Sequence, residues 1–139
     1  MEKTKKYDDA GELFEGEYIN GEKNGKGKEY DYDGELIFEG EFLNGERWNG
    51  KGKEYYDHGI LKFNGEYLNG KQWNGKGKEC DINGNIIFVG EYKNGQINGK
   101  GKEYDDNGKL IFEGEYLNWQ RNGNGKEYDY DYKLKLFNE

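Results

Sequence analysis

Five glutamates, Glu29, Glu54, Glu79, Glu103 and Glu127, recur every 24 or 25 residues, each closing a Gly-x-Gly-Lys-Glu stretch. A carboxylate can act as a general acid or base, ligate a cation, or read a basic side chain, and abundance alone selects none of these. The rest of the inventory narrows the choice. The chain has no serine, one threonine (Thr4), one cysteine (Cys80) and one histidine (His58), so nucleophilic catalysis lacks its usual residues. Cys80 stands in the column of Tyr30 and reads as a small apolar substitute, while His58 belongs to an Asp-His-Gly turn. The segments Asp-Tyr-Asp-Gly, Asp-Ile-Asn-Gly and Asp-Asp-Asn-Gly are rich in oxygen ligands, but calcium needs about six to eight oxygens converging on one point, and tight turns keep theirs apart. The Asn-Gly-Lys-Gly-Lys-Glu-Tyr segments precede no helix and so do not read as phosphate loops. No catalytic residue, metal or cofactor is expected. Trp48 and Trp73, in Glu-Arg-Trp-Asn-Gly and Lys-Gln-Trp-Asn-Gly, have two readings: local caps on one end of a sheet, or an interaction hot spot, where tryptophan is enriched.

The elements that position these residues come from a repeat. Phe14 returns as Phe38, Phe63, Phe88 and Phe112, which divides the chain into units 14–37, 38–62, 63–87, 88–111 and 112–137, preceded by a half-unit at 5–13. All of 1–139 is read as one repeat domain. In each unit two alternating runs end in turn chemistry, Asn20-Gly21 and Asp33-Gly34 in the first, which is a hairpin signature. Opposing Ile19 to Asn24 sets Tyr18 against Gly25, Glu17 against Lys26, Gly16 against Gly27, Glu15 against Lys28 and Phe14 against Glu29. A two-residue turn at Asp33-Gly34 then sets Lys28 against Glu39 and Gly25 against Phe42. One face alternates aromatics with glycines, for example Tyr18, Gly25, Phe42, Gly50, Tyr67, Gly75 and Tyr92. The other carries rows of alternating Glu and Lys, whose opposite charges favour pairing. The glutamate row falls on the aromatic face between the phenylalanines. Rings punctuated by carboxylates about 9 to 10 Å apart suit a partner with apolar and basic side chains. The alternative is that these glutamates only hydrogen-bond nearby backbone or water.

The columns Phe14, Gly16, Tyr18, Asn20, Gly21, Gly25, Gly27 and Tyr30, repeated through the chain from about Lys5 to Phe137, resemble the MORN repeat family. Where that repeat usually places aromatics after Gly-x-Gly, this chain has Glu29 and Asp31. The resemblance implies an all-β fold: a solenoid of stacked antiparallel hairpins forming one elongated, curved and twisted single-layer sheet, held by nearest-neighbour stacking. It also implies a scaffold that binds a partner polypeptide along a groove, with self-association or membrane and phosphoinositide contact as further behaviours. On that reading Phe38, Phe42, Phe63, Tyr67, Phe88 and Tyr92 hold the partner. Glu54, Glu79 and Glu103 read its basic residues, and Trp48 and Trp73 stand at the rim. The alternating Leu134, Leu136 and Phe137 make an open edge that can pair with a second copy to give a homodimer.

Composition sets the remaining bounds. Only 32% of the 139 residues are hydrophobic, 36% are charged and the net charge is -8, figures that alone point to disorder. Against that stand 17% aromatics and 24 glycines held at repeat positions, which favours a folded array. An acidic chain is repelled by nucleic acid and by anionic headgroups, so nucleic acid is excluded as a partner and a membrane is disfavoured. No apolar run approaches the roughly 20 residues of a spanning helix, and the start Met-Glu-Lys-Thr-Lys-Lys lacks the apolar region of a secretory signal. A single cysteine fits a reducing compartment, and a cytoplasmic location is expected.

Overall fold

The computed structural model describes residues 2–129 and 134–138, with residue 2 and 134–138 described for their backbone alone. Among the described residues all regular structure is β: β1 (Glu2–Tyr7), β2 (Leu13–Ile19), β3 (Glu22–Tyr30), β4 (Leu36–Leu43), β5 (Glu46–Tyr55), β6 (Leu61–Leu68), β7 (Lys71–Cys80), β8 (Ile86–Lys93), β9 (Gln96–Tyr104), β10 (Leu110–Leu117), β11 (Gln120–Tyr128) and β12 (Leu134–Asn138). They form one open antiparallel sheet in chain order, the hairpin array expected from the repeat.

Two turn types alternate, each with its own chemistry. Asn20, Asn44, Asn69, Asn94 and Asn118 have φ near +50°, and all but the last precede a glycine near +80° to +90°. These are two-residue turns of the kind whose backbone twist matches a hairpin. The second type is longer than the two-residue turn expected at Asp33-Gly34. Asp31 Oδ1 accepts the N–H groups of Asp33 and Glu35, each at 2.9 Å, and Gly34 N–H donates to the Asp31 carbonyl at 2.9 Å. Asp8, Asp81 and Asp105 repeat this arrangement. The leading aspartate is thus the side chain that closes its own turn. Where Tyr56 takes that place, its hydroxyl instead donates to the Lys78 carbonyl at 2.8 Å and its ring stacks on His58.

The chain forms two compact units, one comprising residues up to Glu54 with Asn64–Gln72, the other Tyr55–Phe63 with residues from Trp73 onward. In the first, the base of the β2–β3 hairpin has the expected register, Phe14 against Glu29, Glu15 against Lys28 and Gly16 against Gly27. The tip does not: Ile19 opposes Glu22 and Tyr18 opposes Lys23, so Gly25 does not face Tyr18. A bulge takes up the difference, with Gly25 at φ +82°, a conformation glycine adopts without a side-chain clash. The β3–β4 pairs, from Gly25 against Phe42 to Lys28 against Glu39, are as expected. In β4–β5, Phe38 faces Gly52 where Glu54 was expected, and Gly40 faces Gly50. This slip of two residues keeps every side chain on its face, because the strand period is two.

Both units bury aromatic rings edge to face. In the first, Phe42 packs 5.0 Å from Phe14 and 5.2 Å from Phe38, and Phe38 packs 5.4 Å from Tyr67. In the second, Phe63 meets Tyr92 at 5.5 Å and Phe88 meets Tyr116 at 5.1 Å. The rings lie on bare backbone: a Cβ at Gly27 would stand 2.6 Å from the Phe14 ring.

Candidate interaction face

The glutamate row lies on the aromatic face. Glu29 stands between Phe14 and Phe38, Glu79 opposite Phe88, and Glu103 between Phe88 and Phe112. The phenylalanines themselves are closed off: Phe38 is 1% exposed, Phe63 is fully buried, and Phe42, Tyr67 and Phe88 are buried as well. They form a core under the face. A binding partner would therefore meet the polar layer above them and the half-buried Tyr92.

That layer is built from residues the sequence pattern did not single out. Two residues after each Asn turn stands Lys23, Arg47, Gln72, Ile97 or Arg121. Four of these five are donors: Arg47, Gln72 and Arg121 reach across the sheet to a glutamate, and Lys23 reaches a glutamate of its own strand. Arg47 Nε donates to Glu29 Oε1 at 2.7 Å, and Lys23 Nζ lies 3.0 Å from the other oxygen of the same carboxylate. The Arg47 guanidinium also lies 4.8 Å from the Phe38 ring centroid, where the ring quadrupole attracts it. Gln72 Nε2 donates to Glu54 Oε2 at 3.0 Å, and the Tyr67 hydroxyl donates to Glu54 Oε1 at 2.6 Å. In the second unit Arg121 holds both oxygens of Glu103, at 2.8 and 3.0 Å, and reaches Glu127 at 2.7 Å. Its guanidinium sits 4.0 Å from the Phe112 centroid, and the Tyr116 hydroxyl also donates to Glu103. The signal for these donors is arithmetic, since Arg47, Gln72 and Arg121 each stand 18 residues beyond the glutamate they bind.

Protonation follows from this geometry. Burial pushes the Glu103 carboxyl up, but the hydrogen bonds from Arg121 and Tyr116 and the Arg121 charge outweigh it and hold the group below the usual glutamate value. Burial, then the hydrogen bond to Glu103, raises the Tyr116 phenol; burial and Glu54 do the same at Tyr67. A depressed carboxylate stabilises the fold above its unfolded pKa, and that contribution is lost as pH falls through the folded one. Arg121→Ala should therefore cost about 2 kcal/mol at neutral pH, because it strips charged hydrogen bonds from a partly buried acid. The gap from the native chain should narrow on acidification below about pH 4.3, the ordinary glutamate value. Urea midpoints of both chains across the acid range check this.

The tryptophans are not members of the donor column. Trp48 ring carbons lie 3.3 Å from the position a Cβ would take at Gly70, so the ring covers the turn of the next hairpin. Its carbonyl accepts Gly70 N–H at 2.9 Å, and the Trp73 carbonyl accepts Gly95 N–H at the same distance. The asparagines that follow cap those turns: Asn49 Oδ1 accepts Asn69 N–H and Asn74 Oδ1 accepts Asn94 N–H. Trp48 and Trp73 fall in different compact units. The side chains of Leu134, Leu136 and Phe137 lie outside the described residues, while their backbone pairs with β11.

On the opposite face the Glu and Lys rows flank bare glycine backbone. In the second unit they enclose a groove of about 1120 Å³ that includes Lys76, Lys100, Lys102 and Lys126 together with Glu91, Glu113 and Glu115. Between charged rows, ion contacts within 4 Å are found at Lys5–Glu15, 3.8 Å, and Lys28–Glu39, 3.7 Å. Such exposed pairs contribute roughly 0.2 to 1 kcal/mol each.

The MORN repeat family model matches the chain three times, at residues 14–35, 38–59 and 88–109. No curated protein matches it.

Proposed function

Because the chain belongs to the MORN repeat family, we propose that it is a non-enzymatic scaffold that holds a partner polypeptide on its aromatic and acidic face. MORN repeats are generally protein- and membrane-interaction modules, and the family is not an enzyme family. The observation that carries the choice of face is Trp119. It occupies a turn position at φ +72° that glycine fills in the other four repeats, a strained setting for a bulky residue. Its ring is half exposed and packs at 5.8 Å against Tyr92. A strained backbone that holds a half-exposed tryptophan supports reading this face as a contact site. The partner carries apolar and basic side chains, and both meet in the cytoplasm.

A peripheral membrane role is the second reading, favoured by one feature, the lysines of the opposite groove that make no ion pair among the described residues, Lys76, Lys100, Lys102 and Lys126. Interleaved glutamates and a net charge of -8 weigh against it. Affinity capture from the source cell, run beside flotation with phosphatidylserine vesicles, tests the two together. The scaffold reading expects a recovered polypeptide and no flotation. Flotation that falls with added salt, with no polypeptide recovered, would replace it with the membrane reading.

A further inference from the structure

The donor column has one break. Glu29, Glu54 and Glu103 each receive a hydrogen bond from the residue 18 positions further on. For Glu79 that residue is Ile97, which is 5% exposed and apolar. The tyrosine donor fails at the same place. Tyr67 and Tyr116 each bind the glutamate 13 residues before them, and Tyr92 stands 13 residues after Glu79, yet its ring packs between Phe63 and Trp119. Among the described residues, the Glu79 side chain has neither a hydrogen bond nor an ion pair. Lys62, a cation of the same unit, lies over the Tyr56 ring at 5.7 Å and does not bridge to Glu79.

We infer that Glu79 is the subsite for an arginine side chain of the partner polypeptide, which supplies from outside the pairing that Arg47 and Arg121 give internally to the equivalent glutamates. This rests on the scaffold reading and narrows it: of the three glutamates expected to read basic residues, Glu54 and Glu103 are already bound within the chain. The molecule itself displays the geometry of the occupant. At Glu103 a guanidinium holds both carboxylate oxygens while lying 4.0 Å from a ring centroid, a fit for the planar fork of arginine more than for the point charge of lysine. Beside Glu79, Tyr92 offers an apolar surface for the arginine stem, and that ring packs in turn against Trp119 and against the cluster that holds Ile97. The charge of Glu79 is felt there: the Tyr92 phenol is pushed up to about 12, first by burial and then by Glu79 and Tyr56.

The test uses a partner-independent probe, N-acetyl-arginine amide, titrated into the full chain while the Ile97 methyl and Trp119 indole NMR signals are followed. A saturable shift is expected, weaker with N-acetyl-lysine amide and absent with the uncharged citrulline analogue. Glu79→Gln should weaken the titration by at least about tenfold, the scale of one charged hydrogen bond. Ile97→Arg should abolish it by completing the internal pair. Equal shifts from arginine and citrulline amides, or no saturable shift in the native chain, would overturn the subsite. The citrulline comparison is made on the native chain, so it decides even where a variant misfolds. A polypeptide captured equally by native and folded Glu79→Gln chains would remove this subsite and leave the scaffold reading standing.

Discussion

Phe112→Ala is expected to destabilise the second unit by about 3 to 5 kcal/mol, the range for removing a fully buried phenylalanine. Phe112 has no solvent exposure. Its ring lies under the Arg121 guanidinium, against Tyr116, and directly over Gly125, where a Cβ would stand 2.6 Å away. Deleting it opens a cavity between a bare backbone and a charged roof, and neither can collapse into the space without breaking the bonds from Arg121 to Glu103 and Glu127. Stability in a repeat array is a sum of local and nearest-neighbour terms, so the damage should be local. Amide exchange should accelerate first in β9 to β11 while β2 to β4 keep their protection. Uniform acceleration through all strands would show that the array unfolds as one cooperative body.

Gly40→Ala should cost about 3 kcal/mol, the upper end for forcing extra atoms into a filled site. A Cβ at this position would stand 2.1 Å from the Asn49 carbonyl oxygen and 2.7 Å from the Gly50 Cα. Both obstacles are backbone of the adjacent strand, so relief requires opening the β4–β5 ladder. Gly21→Ala is the contrast: nothing lies within 4 Å of its Cβ position, and the cost comes from φ +80° alone, about 1 kcal/mol. Denaturant midpoints of the two variants should differ in that order. Equal midpoints would mean that the glycine rows serve conformational freedom and not close approach.

The sheet was legible because its signals are local and repeated. Phenylalanine, glycine and Asn-Gly columns fix strands, turns and faces, and the Gly16–Gly27 pair fixes the base of the first hairpin. The tips were not legible, since a bulge at Gly25 and a slip of two residues beside Gly50 leave the alternation of faces unchanged. Pattern reasoning detects a change of face, and neither event makes one. The Asp-x-Asp-Gly segment read as a turn and not as a metal loop, but the part Asp31 plays in it, accepting two N–H groups of its own turn through one oxygen, was not legible. The glutamate row was found on the correct face, but its partners were missed. Lys23, Arg47, Gln72 and Arg121 stand in a column of mixed chemistry, and the contacts that Arg47, Gln72 and Arg121 make to the glutamates 18 residues before them cross from one hairpin to the next. Trp48 and Trp73 stand at the neighbouring position, where each backbone carbonyl bonds the following turn and the Trp48 ring also covers it.

The central claim, that a polypeptide lies on the aromatic and acidic face, is tested most directly by placing a photo-crosslinking amino acid at one face or the other of the full chain. Trp119 reports the proposed face and Lys100, which lines the opposite groove, reports the other. In extract of the source cell, illumination should give a discrete polypeptide adduct from position 119 and none from position 100. An adduct confined to position 100, or none from either position despite a captured partner, would contradict the assignment of the binding face.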